Sequence, residues 1–334
     1  MNAARTAARE QLALAEERRR RELANFRSAC GAELTALMDN VEGTITEIMV
    51  QADGRVLLER QGHSEFEETE IVISVDERLN IIRMVAGMND RYISFDQPRI
   101  RCEIPGRIRF TGKVFPLVRE PTIVMRLHGY KAMTLEDYLR AGDLTPKQYE
   151  DVVRLILERK AILVSGGPGT GKTTFLRAIG KKFIELHGRA LRLVVIQEFE
   201  ELRLDGMCVQ NIYMTEALDL NECVKDALGG ERPDSIMVGE IKGREALEVA
   251  KALQTGTPGG GATIHADNTE LALLRLLDLI AENGFQPHPR LVANAFRAVI
   301  HLERDARTKK RCVKEIRLVE GVNSGGGFVT ELLG

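Results

Sequence analysis

The chain has 334 residues, of which 44% are hydrophobic and 29% are charged, and its formal net charge is −2. This length is typical of two domains that each form their own core. With no Trp, no C-x-x-C pair among five cysteines and no long apolar run, the sequence argues against a general nucleic-acid binder, a zinc or disulfide framework and a membrane-spanning helix.

Residues 1–30 predict one highly charged helix. The segment has seven arginines and four glutamates, including the run Arg18–Arg21. The pattern fits a solvated helix, or an arm that contacts a partner or an anionic membrane surface. No secretory signal is expected, because an apolar h-region is missing.

Residues 31–130 predict a small α+β domain with short strands. Residues 44–50 alternate between apolar and polar types, and Asp53-Gly54 predicts the turn of a hairpin. Residues 71–75 predict another strand, with Asp76 as the N-cap of the helix that follows. Later strands are predicted around residues 108–110 and 122–127.

Residues 131–320 predict an α/β domain. Thr134 with Asp137, and Thr145 with Gln148, have the spacing of capping boxes at the start of two helices. Further along, short apolar strands alternate with helical segments, which is typical of a mostly parallel sheet covered on both faces. These strands include Leu163 and residues 194–196, 235–238 and 262–264. Residues 321–334, with a glycine-rich run near their start, are expected to form a flexible tail.

The most informative segment is residues 166–173, GGPGTGKT, which fits G-x-x-x-x-G-K-[ST] between a predicted strand and a predicted helix. Glycines let backbone N–H groups converge on phosphate oxygens, and the helix N-terminus adds partial positive charge. We expect Lys172 to reach the β- and γ-phosphates and Thr173 to ligate Mg²⁺. The predicted nucleotide-binding residues are Gly166, Gly167, Pro168, Gly169, Thr170, Gly171, Lys172, Thr173 and Thr174.

A carboxylate follows the strand at residues 235–238. We predict that Glu240 orients or deprotonates the attacking water and reaches the Mg²⁺ shell. The alternative is a carboxylate that caps the next helix. Residues 196–202 hold further acidic groups, and we select Glu201 and Glu198 to hold Mg²⁺ through waters or to position the attacking water. The alternative for them is a solvated acidic turn.

His265 ends the strand that follows a glycine-rich turn at residues 255–261. Because ligands in open α/β sheets bind beyond the carboxyl ends of strands, this imidazole could sense a γ-phosphate. Most single histidines are structural, which is the alternative here.

Together these segments resemble the hexameric ATPases of the type II/IV secretion superfamily, over about residues 44–320. Residues 166–173, an acidic box at 196–202, a Walker B segment at 238–240 and a histidine box at 255–265 carry the resemblance. Residues 46–50 resemble the conjugative type IV secretion branch, in particular the Trb-type conjugal transfer ATPases. The resemblance implies a RecA-like P-loop NTPase fold, ATP and Mg²⁺ as cofactors, a homohexamer and other components of the secretion machine as partners. The scattered cysteines are most simply interpreted as reduced thiols in the cytosol, so we expect a cytoplasmic protein. Any contact with the inner membrane would have to be peripheral, because no membrane-spanning segment is predicted.

The resemblance further implies that the N-terminal domain contributes arginines to the nucleotide. Arg126 matches a phosphate-contacting arginine of the family, and Arg109 is the candidate for a second, with Arg107 as its competitor. An ordinary surface residue is the alternative. The acidic box departs from the usual Ile-Glu-Asp, since Gln197 and Glu198 follow Ile196, and this puts the metal geometry there in question.

The sequence therefore predicts an ATP hydrolase in which Glu240 positions the water that attacks the γ-phosphate, with no specific nucleic-acid partner. Two other classes stay open. A nucleic-acid-dependent RecA-like motor predicts turnover that DNA stimulates. A nucleotide-gated structural ring with negligible turnover predicts that Glu240→Gln leaves function intact.

Overall fold

A computed structural model describes residues 2–39, 43–61, 63, 65–104, 108–127, 133–215, 218–254, 257–305, 308 and 310–334. The chain divides into two compact units, Met1–Tyr130 and Lys131–Gly334. In the described residues each unit is built on its own sheet, with six strands in the first and eight in the second.

The first unit packs two helices on an antiparallel sheet of strand order β3-β2-β1-β6-β5-β4. Alternate residues of the strands are buried, so one face of the sheet forms the core. Its elements are α1 (Asn2–Asp39), β1 (Ile45–Val50), β2 (Arg55–Arg60), β3 (Glu67–Val72), α2 (Val75–Met88), β4 (Arg99–Ile104), β5 (Ile108–Lys113) and β6 (Thr122–Leu127).

Two boundaries in this unit differ from the sequence prediction. Helix α1 continues past residue 30 to Asp39, across a kink at Gly31, because Leu34 and Met38 are buried in the core of the unit. The N-cap of α2 is Ser74 and not Asp76: the Ser74 side chain and Glu77 form a reciprocal capping box.

The second unit has a sheet of order β14-β13-β12-β7-β11-β10-β8-β9, parallel from β12 to β9. Leu163 of β7 packs in one apolar cluster and Ile162 and Val164 in another, so helices cover both faces, as predicted. Its elements are α3 (Leu135–Ala141), α4 (Pro146–Leu157), β7 (Ile162–Gly166), α5 (Lys172–His187), β8 (Leu193–Gln197), β9 (Val209–Tyr213), α6 (Leu220–Asp226), β10 (Ser235–Val238), α7 (Ala246–Gln254), β11 (Gly260–Ile264), α8 (Thr269–Ala281), α9 (Pro289–Ala295), β12 (Ala298–Arg304), β13 (Arg311–Val322) and β14 (Phe328–Leu333).

The two predicted capping boxes of this unit are confirmed. The side chain of Thr134 accepts the N–H of Asp137 at the start of α3, and that of Thr145 accepts the N–H of Gln148 at the start of α4. In the part of the chain that the structure describes, none of the helices has the length and apolarity that a bilayer crossing requires.

The tail that was expected to be flexible from residue 321 forms a hairpin instead. Strand β14 pairs antiparallel with β13, and Leu333 is buried. The glycine-rich run is the turn between these strands, where the Asn323 side chain accepts the N–H groups of Gly325 and Gly327. The glycines therefore allow a tight reversal and do not form a linker.

Candidate functional site

The predicted phosphate-binding loop joins the end of β7 to the start of α5. Its glycines are required by geometry: a Cβ on Gly166 would lie 2.6 Å from the carbonyl oxygen of Leu302. Gly171, the N-cap of α5, has a φ of 90°, in the region that favours glycine. The first N–H groups of α5 have no partner within the helix, and Thr173 and Thr174 lie in this turn. The loop therefore has the backbone form of an anion site.

Lys172 is buried and folded back over this loop. Its Nζ donates to the carbonyl oxygens of Gly166 at 2.9 Å and Gly167 at 3.0 Å, and lies 3.2 Å from Nδ1 of His265. Burial lowers the pKa of the ammonium to about 8, although the charge of Glu240 acts in the opposite direction.

His265 lies between Lys172 and Glu240 and contacts both. Its Nε2 is 2.8 Å from Oε1 of Glu240. Because an ammonium can only donate, Nδ1 accepts from Lys172 and the ring proton is on Nε2, which donates to Glu240. Burial and the Lys172 charge both lower the pKa of this histidine, which favours the neutral ring that this pattern requires.

A second cation, Lys242, contacts Glu240 from its other oxygen. The Nζ of Lys242 lies 3.0 Å from Glu240 Oε2 and 3.2 Å from Glu198 Oε2. Burial alone would lower the pKa of Lys242, but the carboxylates of Glu240 and Glu198 raise it overall. A continuous series of polar contacts thus runs from Lys172 through His265, Glu240 and Lys242 to Glu198. The sequence analysis selected four of these five residues, all but Lys242, and the structure brings the four together.

The unusual Gln197 has a structural role. Its buried side-chain oxygen accepts the N–H groups of Glu201 at 3.1 Å and Leu202 at 2.9 Å, which shapes the acidic turn. A neutral amide suits this buried position, since a carboxylate there would have to be desolvated. The backbone N–H of Glu201 makes one of these two contacts. The role of its side chain in positioning water stays a prediction.

The residues present fit a Mg²⁺ ion that arrives with a nucleotide. Within the described ranges, no group of three or more His, Cys, Asp or Glu side chains could hold a metal ion. Mg²⁺ in phosphate-loop proteins is bound mainly through substrate phosphates and one or two protein oxygens. The hydroxyl of Thr173, at the start of α5, and the carboxylates of Glu240 and Glu198 are oxygens of this type, and their assignment to Mg²⁺ stays a prediction.

Comparison with known families decides the class of protein. Residues 33–325 match the family described as Type II/IV secretion system protein. The chain belongs to this family.

Curated relatives of this secretion protein are named for conjugal transfer. It is 31% identical over 301 residues to the probable conjugal transfer protein TrbB of Sinorhizobium fredii, with 90% of each chain covered. It is 30% identical over 297 residues to the conjugal transfer protein TrbB of Rhizobium radiobacter, with 89% of this chain and 90% of that protein covered. The predicted resemblance is confirmed.

Solved structures confirm the predicted fold class of the secretion protein. The ATPase DotB of Legionella pneumophila has a TM-score of 0.59 at 18% identity and covers 86% of this chain and 79% of its own. The pilus retraction motor PilT, solved with bound ADP, has a TM-score of 0.55 at 16% identity and covers 89% and 80%. These likenesses show an α/β, RecA-like P-loop fold with a smaller α+β N-terminal unit.

The two arginines predicted to contact phosphate lie in the first unit of the secretion protein. Arg109 of β5 and Arg126 of β6 are directly opposite in the antiparallel register, so they share one face of the sheet. Arg126 lies 3.3 Å from Glu47 of β1. The competitor Arg107 lies outside the described residues, as do residues 255 and 256 of the histidine box.

A buried histidine lies beside the loop of the secretion protein, in a position that the sequence did not predict. Nδ1 of His301 lies 3.0 Å from Oγ of Ser165, the residue that precedes Gly166. It lines a cavity of about 420 Å³ with Gly167, Pro168, Thr170, Asp267 and residues 302–305. The pairing of β12 with β7 places His301 opposite Ser165. No local sequence motif predicts this long-range contact. Lys242 was missed for the same reason, since Glu198 comes from another strand end.

Proposed function

We propose that this secretion protein is a Mg²⁺-dependent ATP hydrolase of a conjugal transfer or type IV secretion machine. The observation that carries the proposal is the contact of His265 with both Lys172 and Glu240. It joins the lysine of an anion-binding loop to a carboxylate at the end of a neighbouring strand. That combination suits the cleavage of a phosphoanhydride. The membership of the secretion family, with ATPases among the structural relatives, supports the same activity.

In this proposal residues 166–174 bind the phosphates. Backbone N–H groups of the loop and of the first turn of α5 donate to phosphate oxygens. Lys172 exchanges the carbonyl oxygens of Gly166 and Gly167, which it now contacts, for oxygens of the β- and γ-phosphates. Thr173, with Glu240 and Glu198, would hold Mg²⁺, which supplies neutralisation of charge on the transferring phosphoryl group when bound.

Glu240 acts as the base or orienting group for the attacking water. Its side chain is one-quarter exposed, so a water can reach it. The neutral ring of His265 donates to Glu240 and accepts from Lys172, so it can respond to any movement of the lysine toward a γ-phosphate. Arg126 and Arg109 are proposed to stabilise transition-state charge, as the family resemblance implies.

We also propose that six copies form the working ring, in the cytoplasm and in peripheral contact with the inner membrane and the rest of the secretion machine. This part rests on the family resemblance. Hydrolysis would then change the contacts that hold each subunit in place, and the ring would do mechanical work on pilus assembly or on the translocated substrate.

The decisive experiment measures phosphate release from ATP by the purified chain with and without Mg²⁺, and with and without DNA. We expect slow Mg²⁺-dependent release that DNA leaves unchanged. Strong, salt-sensitive stimulation by DNA would favour a nucleic-acid motor. Tight ATP binding without release under every condition would favour a structural ring.

A further inference from the structure

Lys242 joins two acidic side chains from different strand ends. Its Nζ contacts Glu240 Oε2 at 3.0 Å and Glu198 Oε2 at 3.2 Å. Strands β8 and β10 pair in parallel, with Ile196 opposite Val238, and each glutamate lies two residues beyond this pair, at the same edge of the sheet. Two carboxylates brought together in this way repel each other unless a cation lies near both.

The carboxylate of Glu240 is held on both sides. Oε1 accepts from His265 at 2.8 Å, and Oε2 accepts from Lys242 at 3.0 Å. The side chain of Lys242 is 51% exposed, whereas those of Glu240 and Glu198 are 25% and 32% exposed. The most exposed side chain of the three therefore supplies the cation that contacts both carboxylates. With both oxygens engaged, Glu240 has one defined orientation.

We propose that Lys242 is a positioning residue that orients Glu240 and neutralises the Glu198–Glu240 pair until Mg²⁺ arrives with the nucleotide. This inference rests on the proposed ATPase function. Lys242 acts through the two carboxylates that it contacts. Its positive charge offsets their repulsion before Mg²⁺ binds. Its loss leaves the phosphate loop and Lys172 unchanged, so binding and turnover are affected differently.

The first test needs no turnover. Fluorescent mant-ADP is titrated into wild-type and Lys242→Met protein, once with Mg²⁺ and once with EDTA. Without the ammonium, the two carboxylates repel the metal-free diphosphate, whereas Mg²⁺ compensates for the missing charge. We expect the ratio of the Kd in EDTA to the Kd in Mg²⁺ to rise about fivefold in the variant.

The second test separates kcat from KM for ATP. We expect Lys242→Met to lower kcat about tenfold, because Glu240 loses its orientation, while KM changes less than about twofold. Lys242→Arg should restore both measurements, since a guanidinium can donate to both carboxylates. Lys242→Gln, which keeps the polarity and removes the charge, should behave as Lys242→Met and replaces it if that variant fails to fold.

Lys251 provides a matched control. Its side chain is also 51% exposed, and its Nζ lies 2.9 Å from Glu248 on the same helix. Lys251→Met should leave both measurements unchanged. The proposal is overturned if both uncharged Lys242 variants keep the wild-type ratio and kcat, or if Lys251→Met produces the same changes.

The two proposals can fail separately. A wild-type chain that binds mant-ADP but releases no phosphate defeats the ATPase proposal, and the Mg²⁺-to-EDTA comparison still decides the role of Lys242. A chain that binds no mant-ADP defeats both.

Discussion

In the proposed ATPase, a short series of side-chain contacts would couple nucleotide binding to water activation. The neutral ring of His265 can accept from Lys172 at Nδ1 only when its proton is on Nε2, the atom that donates to Glu240, so one tautomer serves both contacts. Glu240 and His265 were predicted because each follows a strand that the sequence identifies. The sequence did not predict that Lys242 contacts two glutamates or that Gln197 accepts backbone N–H groups. These partners come from other strands and from buried backbone groups, which spacing does not reveal.

Replacement of Glu240 by glutamine tests its role as the base. The amide oxygen of Glu240→Gln can still accept from His265, so nucleotide affinity should change less than about threefold. The amide cannot take a proton from water, so kcat should fall about 100-fold or more. Phosphate release and mant-nucleotide titration measure the two effects.

Glu248→Gln is the control for this variant, because the Glu248 side chain is 19% exposed and pairs with Lys251 on α7. It should keep wild-type kcat. Wild-type turnover in Glu240→Gln would show that another group activates the water.

His301 predicts a dependence of stability on pH. Burial lowers its pKa below 6.5 in the folded state, although the carboxylates of Glu315, Glu303 and Asp267 act in the opposite direction and Lys172 acts with burial. The unfolded chain therefore binds more protons than the folded chain as the pH falls through 6.5. The contribution of His301 is present above that pH and is lost below it.

The prediction is tested by urea unfolding of the wild type and His301→Asn between about pH 8 and about pH 5. This range brackets the ordinary histidine pKa of about 6.5. The wild-type free energy of unfolding should fall more steeply toward acid than that of the variant. Parallel curves would show that His301 titrates in the same way in both states.

Strands and helices were predictable where local signals mark them. Such signals mark three features: the capping boxes at Thr134 and Thr145, the glycine turn before α5, and the apolar strands of the parallel sheet. The antiparallel extension by β13 and β14 does not, because a glycine-rich run is equally compatible with a linker and with a hairpin turn. Only the pairing partner decides between them, and pairing is a long-range property.

Two adjacent leucines of β14 test whether this strand contributes to stability. Leu333 is 8% exposed and Leu332 is 61% exposed. Leu333→Ala should lower the free energy of unfolding by about 2–4 kcal/mol, because it removes buried apolar contacts. Leu332→Ala should cost less than about 0.5 kcal/mol. Equal and small effects of the two substitutions in denaturant unfolding would support the prediction of a flexible tail.

At the scale of the whole molecule, the chain has two units, each with its own core. A proposed ring predicts a particle of about 223 kDa, which is six times 37.2 kDa. Light scattering after size exclusion, with Mg²⁺ and a non-hydrolysable ATP analogue, measures this mass. A monomer at every protein concentration, with the nucleotide bound, would contradict the ring and leave the hydrolysis proposal standing.

Strand β7 has a neighbour on each side, β11 and β12, and its residues are buried. Its amides should therefore be among the slowest in the molecule to exchange with deuterium. The glycine loop starts from this inner strand, so an incoming triphosphate meets a backbone that is already in shape. In the proposed complex, most of the adjustment would then fall on the amine of Lys172, which has to leave its contacts with two loop carbonyl oxygens.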